Sequence, residues 1–209
     1  MIFLIFHHIY LIVLLSRYIF AQDEMILLQK REGVYMLTGR EMPGEYGCSI
    51  RLLSGDDEAD LQDLCERCSD FSELVEGRPP EKDAGHSILF DLPPDKELTD
   101  KFVFGVYKGN DVLIAVIDVI KDYRTPEEWM IDLLMIAPSE RENGLGRMLH
   151  DFIKARVLEK HGKALRIGVV ESNHRGYRFW CKMGYVETDR VEMTYGKKTH
   201  MVIIMNIFL

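Results

Sequence analysis

Apolar residues along the second half of the chain follow two patterns, one typical of helices and one typical of buried strands. From 145 to 153 they recur at three- and four-residue spacing, which predicts an amphipathic helix that runs to about Lys160 and is stopped by Gly162. Residues 129–137 are apolar on both faces apart from Asp132, as expected of a central strand with both sides covered. The pattern therefore predicts a helix packed beside a buried sheet.

The rest of the chain contributes further strands and helices. Alternation, spacing and turn residues predict a strand at 48–53, a helix through Leu61 and Cys68, strands at 101–107 and 112–123 around a Gly-Asn-Asp turn, a strand at 165–170, a helix at 174–183 between Asn173 and Gly184, and a closing hairpin of 185–193 and 199–207. Prolines and glycines predict a short helix and long loops between 71 and 98.

This order of strands and helices predicts a single α/β domain on a mixed sheet, spanning residues 48–209. Residues 25–47 carry several glycines and a proline, which predict an irregular or hairpin-like segment ahead of the domain.

The first 24 residues are strongly apolar, but they do not fit a standard targeting segment. Residues 1–15 are apolar except for His7 and His8. The stretch is short of the ~20 apolar residues that span a bilayer, and it lacks the basic start of a secretory signal. Three interpretations stay open: a weak anchor, a strand or helix packed on the domain, or an extension upstream of a natural start at Met25 or later. We favour the last two.

Composition narrows the range of partners. The 209-residue chain is 47% apolar and 29% charged, which is ordinary for a globular protein. Its formal net charge of −8 argues against general binding of nucleic acid and suits a cationic acceptor. The four cysteines include Cys65-x-x-Cys68, but no second Cys or His pair follows at zinc spacing. We therefore predict free thiols in a reducing compartment and no metal site.

The segment 141–146, Arg-Glu-Asn-Gly-Leu-Gly, lies between the buried strand and the amphipathic helix. Glycine lets the main chain approach a ligand closely, and the free N–H groups of a first helical turn can face a phosphate. Arg141 and Arg147 flank the glycines with positive charge. A dinucleotide fingerprint needs glycine directly after its strand and a third glycine, and a Walker loop needs Gly-Lys-Ser/Thr; the segment has neither.

A second motif follows the next predicted strand. Residues 173–185 read Asn-His-Arg-Gly-Tyr-Arg-Phe-Trp-Cys-Lys-Met-Gly-Tyr. Together with the Arg-x-x-Gly-x-Gly loop, they resemble the Asn-x-x-Ala-x-x-Phe-Tyr/Trp-x-Lys-x-Gly-Phe pattern of the GNAT superfamily, the acyl-CoA-dependent N-acetyltransferases, with Gly176 where alanine is usual. The resemblance covers about residues 128–188. It implies a mixed, mostly antiparallel sheet flanked by helices, with a splayed pair of central strands.

The resemblance implies that acetyl-CoA is a co-substrate. It assigns the pyrophosphate to main-chain N–H groups of the loop and the helix start, and the pantetheine arm to the main chain of the splayed strand. Asn173 would bind that arm or a neighbouring water, and it can cap its helix as well. Trp180 either packs against the arm or fills the core. The implied cofactor-binding residues are Met135, Ile136, Arg141, Glu142, Asn143, Gly144, Leu145, Gly146, Arg147, Asn173 and Trp180.

Acetyl transfer needs a base for the amine and an acid for the thiolate. In the family a tyrosine at the position of Trp180 often serves as the acid, which an indole cannot do. Tyr177 is the alternative acid, or else it packs in the core. Asp132 is the candidate base, because burial would raise its pKa; otherwise it forms a salt bridge or a solvent-facing strand end. The N–H of Ile136 is the candidate donor to the thioester carbonyl.

The predicted function is transfer of the acetyl group of acetyl-CoA to a primary amine of a small acceptor by direct attack. The acceptor surface is expected from residues 71–98, whose neighbourhood is acidic, and from the 123–128 turn. The alternative is a non-catalytic acyl-CoA-binding sensor or scaffold, which the tryptophan at the acid position keeps open. The need for acetyl-CoA favours a cytoplasmic protein without membrane attachment, and a homodimer is left open.

Overall fold

A computed structural model of the chain describes residues 18–21, 24–31, 34–38 and 48–209. Its strands in these ranges are β1 Tyr18–Ala21, β2 Glu24–Arg31, β3 Val34–Thr38, β4 Cys48–Leu52, β5 Lys101–Lys108, β6 Val112–Ile120, β7 Glu128–Ile136, β8 Ala164–Val170, β9 Val186–Tyr195 and β10 Lys198–Phe208. Its α-helices are α1 Glu58–Arg67, α2 Ser69–Val75, α3 Ala84–Phe90, α4 Leu145–Glu159 and α5 His174–Lys182.

The strands form one mixed sheet in the order β1-β2-β3-β4-β5-β6-β7-β8-β10-β9. Neighbouring strands pair antiparallel except β7 and β8, which are parallel. This parallel pairing runs only from Glu128 opposite Ala164 to Met130 opposite Arg166. Since β7 continues to Ile136 and β8 to Val170, the two strands separate beyond Met130. The predicted fold class and its splayed central pair are confirmed.

A β-bulge interrupts the pairing of β7 with β6 on the way to the opening. Asp118 pairs with Leu133 and Val119 pairs with Ile131, so Asp132 is the extra residue of β7. A bulge bends its strand and re-aims a side chain, and such bulges are frequent beside active sites.

Each face of the sheet carries its own core, as alternation along a strand requires. Ile117 of β6 packs with Leu149 and Phe152 of α4 in one core. The adjacent Val116 packs with Leu61 of α1 in the other core. The sheet is therefore sandwiched between α1 on one side and α4 on the other, and the buried strands β6 and β7 lie in its middle.

The segment between 71 and 98 holds more helix than predicted. Besides α2, it contains α3, where the prediction of long loops was wrong. A Cβ on Gly85 would lie 2.6 Å from the carbonyl oxygen of Glu58 and 2.8 Å from the nitrogen of Gln62. The glycine that suggested a loop is therefore what lets α3 contact the backbone of α1, and the Gln62 side chain accepts a hydrogen bond of 3.0 Å from the Gly85 N–H.

Ahead of the domain, β1, β2 and β3 extend the sheet by antiparallel pairing beyond the edge of β4. Most of the apolar leader, residues 1–17 and 22–23, lies outside the described residues. Within the described part of the chain, the helices are too short or too polar to cross a membrane.

Candidate functional site

The predicted phosphate loop opens α4 at the point where β7 and β8 separate. Gly144 is the N-cap of α4 with φ +82°, and Glu142 before it also has a positive φ, +68°. A Cβ on Gly144 would meet nothing within 4 Å, so glycine is needed there for the backbone angle and not for space. No side chain caps this helix end. The N–H groups of its first turn therefore have no intrahelical partner and are suited to an anion.

Gly146 fixes the position of this helix start. A Cβ at this position would lie 3.2 Å from the Phe179 ring and 3.3 Å from the Ile136 side chain. The absence of a side chain lets the first turn of α4 approach both α5 and the end of β7. The free N–H groups are thereby held beside the opening in the sheet.

Arg141 is engaged by the protein itself. Its Nε donates a hydrogen bond of 2.8 Å to the Ile136 carbonyl. Its guanidinium also bonds both carboxylate oxygens of Asp70 in α2, with Nη2 to Oδ1 at 2.9 Å. The predicted role of Arg141 was to add charge for the phosphates, but Asp70 balances much of that charge. In this structure Arg141 ties the loop to the end of β7 and to α2.

Other basic side chains stand around the loop. Arg147 is exposed, as a residue that meets a phosphate should be. Arg175, in the first turn of α5, lies across the loop with Nη2 3.4 Å from Oε1 of Glu142. Sequence reasoning missed Arg175, because only the packing of α5 beside α4 brings it to the loop. Asn143 and Glu142 of the same loop are also exposed.

The main chain of β7 presents different groups on its two sides. The Ala137 N–H donates a hydrogen bond of 2.9 Å to the Ile114 carbonyl of β6. By antiparallel alternation Met135, opposite Val116, also directs its main chain to β6, whereas Ile136 directs its own into the opening. The Ile136 carbonyl accepts the hydrogen bond from Arg141, whereas the Ile136 N–H faces the gap. Of the two predicted main-chain ligands, only Ile136 faces the gap.

Asn173 acts as the cap of α5. Its Oδ1 accepts a hydrogen bond of 2.9 Å from the Gly176 N–H. A Cβ at Gly176 would lie 2.8 Å from Nδ2 of Asn173, so the glycine gives this side chain room. The cap accounts for Asn173 structurally, and its contact with a pantetheine arm stays a prediction.

Trp180 lies in the core. It is 8% exposed, and its ring lies 5.1 Å from that of Tyr185 and 6.2 Å from that of His150, between centroids. Of the two roles left open, this packing supports the structural one. Tyr177 is half-buried and its hydroxyl is hydrogen-bonded to Cys181, which raises the pKa of the phenol. Its role as an acid stays a prediction.

Asp132 lies at the opening and is solvent-exposed, contrary to the expected burial within the strand. Two features account for this: β8 has diverged from β7, and the bulge re-aims the side chain. The surrounding protein still removes part of its hydration and raises the pKa of Asp132, while the charge of Lys101 opposes that rise. Water and a ligand can therefore reach a carboxylate whose proton affinity is increased.

A buried ion pair lies behind Asp132. Lys101 Nζ donates to Oδ2 of Asp118 at 2.5 Å, and the side chains are 3% and 2% exposed. The other carboxylate oxygen, Oδ1, has no hydrogen-bond partner among the described residues. Burial raises the pKa of Asp118, and the charge of Asp132 adds to the rise, whereas the ion pair with Lys101 opposes it and favours the carboxylate form. Sequence reasoning missed Asp118, although it is a lone carboxylate in an apolar strand, the same signal that identified Asp132.

Tyr195 lies near Asp132, and Tyr123 lies near Tyr195. Burial raises the pKa of Tyr195 at the end of β9, and the charges of Asp132 and Tyr123 add to the rise. Tyr123 follows β6 in the turn before β7, within the 123–128 region expected to meet the acceptor. The Arg124 guanidinium lies over the Tyr123 ring, 5.4 Å from its centroid. The carboxylate of Asp132 and the ring of Tyr195 are therefore the pair that suits an ammonium group on this side of the opening.

Helix α2 bridges the opening from one side to the other. At its start, Asp70 bonds Arg141 of the phosphate loop. At its end, Lys198 Nζ donates to the Glu73 carbonyl at 2.7 Å, and Nε2 of His200 bonds the Val75 carbonyl at 2.8 Å. The two ends of α2 are therefore attached to elements on opposite sides of the splay.

The Cys65 and Cys68 thiols are both buried and free. Burial raises the pKa of Cys65 to about 12 and also raises that of Cys68, so both stay protonated at neutral pH. Among the described residues no cluster of three or more His, Cys, Asp or Glu side chains could hold a metal ion.

The fold and the loop define an α/β protein whose sheet opens beside a helix start that no side chain caps. A family model described as "Acetyltransferase (GNAT) family" matches residues 63–185, more than half of the 209 residues. The chain therefore belongs to the GNAT acetyltransferase family, and the resemblance carried by its two motifs is confirmed. A search of curated proteins found no match.

Solved structures share this fold at low sequence identity. The ribosomal-protein-S18-alanine N-acetyltransferase of Escherichia coli superposes with a TM-score of 0.57 at 16% identity, over 77% of this chain and 93% of that one. The spermidine N-acetyltransferase of Vibrio cholerae, solved with CoA and spermine, gives 0.60 at 18% identity, over 77% and 95%. The PaiA N-acetyltransferase of Thermoplasma acidophilum, solved with coenzyme A, gives 0.56 at 19% identity, over 78% and 99%.

Proposed function

We propose that this protein transfers the acetyl group of acetyl-CoA to a primary amine of a small acceptor by direct attack. The observation that carries the proposal is the arrangement at the splay, where an uncapped glycine-rich helix start and an exposed carboxylate of raised pKa flank the same opening. Residues 48–209 form the catalytic domain in this proposal, and the protein acts in the cytoplasm, where acetyl-CoA is supplied.

The cofactor side uses the start of α4. The N–H groups of Leu145, Gly146 and Arg147 would bind the pyrophosphate, and the positive end of the helix dipole favours its charge. Arg147 and Arg175 are exposed beside the loop and would add charge. The Ile136 N–H points into the gap and would donate to the thioester carbonyl, where negative charge develops.

Asp132 would take one proton from the ammonium form of the acceptor. The freed nitrogen attacks the thioester carbon, the nitrogen–carbon bond forms and the carbon–sulfur bond breaks with its electron pair going to sulfur. The nitrogen then loses the second proton, which ends on the thiolate. The proton on Asp132 returns to water. The exposure of Asp132 supports this exchange, and its raised pKa supports its role as base.

The acceptor side supports a cationic amine. Asp132 offers negative charge and Tyr195 an aromatic face to such a cation. Helix α2 is attached on both sides of this opening. Two structural neighbours are named for amine acceptors, spermidine in one and an alanine of ribosomal protein S18 in the other. We therefore include polyamines and short peptides with free amino termini among the candidates.

The test is release of CoA thiol from acetyl-CoA in the presence of an amine panel, with the acetylated product identified by mass. Polyamines, amino acids and short peptides make up the panel, and Asp132→Asn is the matched control. We expect turnover with at least one amine and its loss in the control. Calorimetry with CoA accompanies the assay. Binding without turnover would favour the non-catalytic sensor or scaffold, and absence of binding would overturn both.

A further inference from the structure

Lys101, Asp118 and Asp132 form a row across three adjacent strands. Asp118 of β6 lies opposite Val103 of β5 and Leu133 of β7. Val103 and Leu133 both pack in the core on the α1 side, so Asp118 points to that side too. Lys101, two residues before Val103, shares the face and reaches Asp118. The row thus runs from a buried cation, through a buried carboxylate, to the exposed carboxylate at the opening.

The middle member of the row is incompletely satisfied. One carboxylate oxygen of Asp118 accepts from Lys101, and the Val119 N–H lies close enough to favour the charged carboxylate. The oxygen Oδ1 has no well-formed hydrogen bond among the described residues. A buried carboxylate with an unpaired oxygen lowers the free energy of unfolding. Its presence therefore calls for a role beyond packing. The bulge inserts Asp132 next to the residue that faces Asp118, so the two carboxylates are neighbours across the strand pair.

We propose that Asp118 is a positioning residue for the reaction, and that with Lys101 it sets the protonation of Asp132 at the opening. The charges of Asp118 and Asp132 repel each other. The ion pair with Lys101 favours the ionised form of Asp118, and that negative charge then increases the proton affinity of Asp132. The positive charge of Lys101 decreases the proton affinity of Asp132. With the pair intact, the pKa of Asp132 therefore lies between the value that it would have beside Asp118 alone and the value that it would have beside Lys101 alone. The catalytic part of this inference depends on the proposed acetyl transfer, whereas the electrostatic part does not.

Different results are expected if Lys101 and Asp118 form only a structural ion pair. Breaking such a pair destabilises the protein from either side, without moving the titration of a third group in opposite directions. In the row proposed here, Asp118→Asn leaves Lys101 unbalanced beside Asp132, so the pKa of Asp132 falls. Lys101→Met leaves Asp118 unbalanced, so the pKa of Asp132 rises. Tyr195 is the further titratable group on which the charge of Asp132 acts, and its phenol stays neutral through the acidic range.

The test is a carbon-13 NMR titration of aspartate carboxylates in the folded protein, with Asp132→Asn assigning the Asp132 signal. We expect the proton-binding constant of Asp132 to decrease about tenfold in Asp118→Asn and to increase about tenfold in Lys101→Met. Lys108→Met is the matched control, because it removes a charge from the other end of β5, where Lys108 pairs with Glu140. Its Asp132 titration should match the unmodified protein.

The acidic limb of the pH profile of kcat/KM should move in the same two directions. Shifts in one common direction, or none in either variant, would overturn the inference. Opposite shifts in the NMR titration without any turnover would retain the electrostatic coupling and refute the proposed function. Failure of the electrostatic coupling and failure of the proposed acetyl transfer are therefore distinguishable. If one of the two variants does not fold, the direction of the Asp132 shift in the other variant still tests the inference.

Discussion

Arg141 and Asp70 are joined by two N–H···O hydrogen bonds although they lie 71 positions apart in the sequence. The bond from Nη2 to Oδ1 measures 2.9 Å, and the same guanidinium bonds the Ile136 carbonyl. This contact links α2, the proposed phosphate loop and the splayed end of β7. It makes Arg141 a structural connection within the site and places a negative charge beside the proposed phosphate position.

Asp70→Asn should strengthen CoA binding. Removing the carboxylate takes a negative charge from the loop and releases the charge of Arg141 towards the phosphates. We expect a gain of about threefold in affinity at low salt that shrinks at high salt, as for a partly exposed charge. Calorimetry with CoA at two salt concentrations measures it. Asp63→Asn is the control, because Asp63 is an exposed carboxylate paired with Arg67 on α1. A weaker affinity in Asp70→Asn would instead mean that the ion pair shapes the loop.

Gly144→Ala should weaken CoA binding through the backbone. A side chain at φ +82° costs about 1–2 kcal/mol, and relief of that strain would turn the N–H groups away from the ligand. We expect at least a tenfold loss of affinity in calorimetry. Gly109→Ala is the matched control, since Gly109 also has positive φ, +61°, and open space around it, but lies in the β5–β6 turn. Equal losses of affinity in the two variants would argue against the loop as the phosphate site.

Asp132→Asn should remove turnover while leaving CoA binding intact. A general base typically contributes about 10²–10⁴-fold to the rate, so kcat/KM should fall by at least 10²-fold. In the unmodified protein the rate should rise with pH through the pKa of Asp132, because only the ionised carboxylate accepts a proton. That pKa is raised above the ordinary 3.8, so the limb should lie at higher pH than for a free aspartate. A pH profile unchanged in Asp132→Asn would remove this residue from the mechanism.

Tyr177→Phe should have little effect on the rate. The hydroxyl is hydrogen-bonded to Cys181, and the charges that act on it belong to Cys181, Glu187 and Arg190. We expect kcat/KM to stay within about twofold, because the proposed route takes the second proton of the amine to the thiolate without the phenol. The same thiol-release assay measures it. A loss of 10²-fold or more would instead support the acid role assigned to Tyr177 from the sequence.

Asp57→Asn should destabilise the fold. The buried Asp57 carboxylate accepts from Arg51, the Ser54 N–H and the Tyr107 hydroxyl, at 3.0, 2.8 and 3.1 Å. Loss of its charge weakens the hydrogen bonds from Arg51 and Ser54, and since the Arg51 side chain is 35% exposed we expect roughly 2 kcal/mol less free energy of unfolding in urea. Asp56→Asn, at the exposed neighbouring position, should change it by less than about 0.5 kcal/mol.

The pH dependence of the same variant has a definite sign. Burial opposes ionisation of Asp57, but the bonds from Arg51 and Ser54 outweigh it and hold the pKa of Asp57 below 3.8. A folded-state pKa below the unfolded one gives stability that is present above the unfolded pKa and lost as pH falls through the folded one. The gap between Asp57→Asn and the unmodified protein should be constant above about pH 5 and should narrow in stronger acid. A gap that widens in acid would contradict this.

The sequence by itself determined the order of strands and helices, because hydrophobic period and turn residues act locally. The apolar periods around Asp132 and Leu145 were sufficient to predict β7 and α4, and the two glycine motifs were sufficient to predict the family. Local reasoning failed where the position of a residue depends on a contact with a segment distant in the sequence. Gly85 indicated a loop, but it lies in α3 because α1 packs against its backbone.

Only the tertiary structure decided which groups meet at the site. The exposure of Asp132 depends on the divergence of β8 and on a bulge against β6, and the pair of Lys101 with Asp118 depends on strand register. The engagement of Arg141 depends on α2, which is distant in sequence. Charges interact according to their separation in space and the water around them, and the linear order of residues specifies neither.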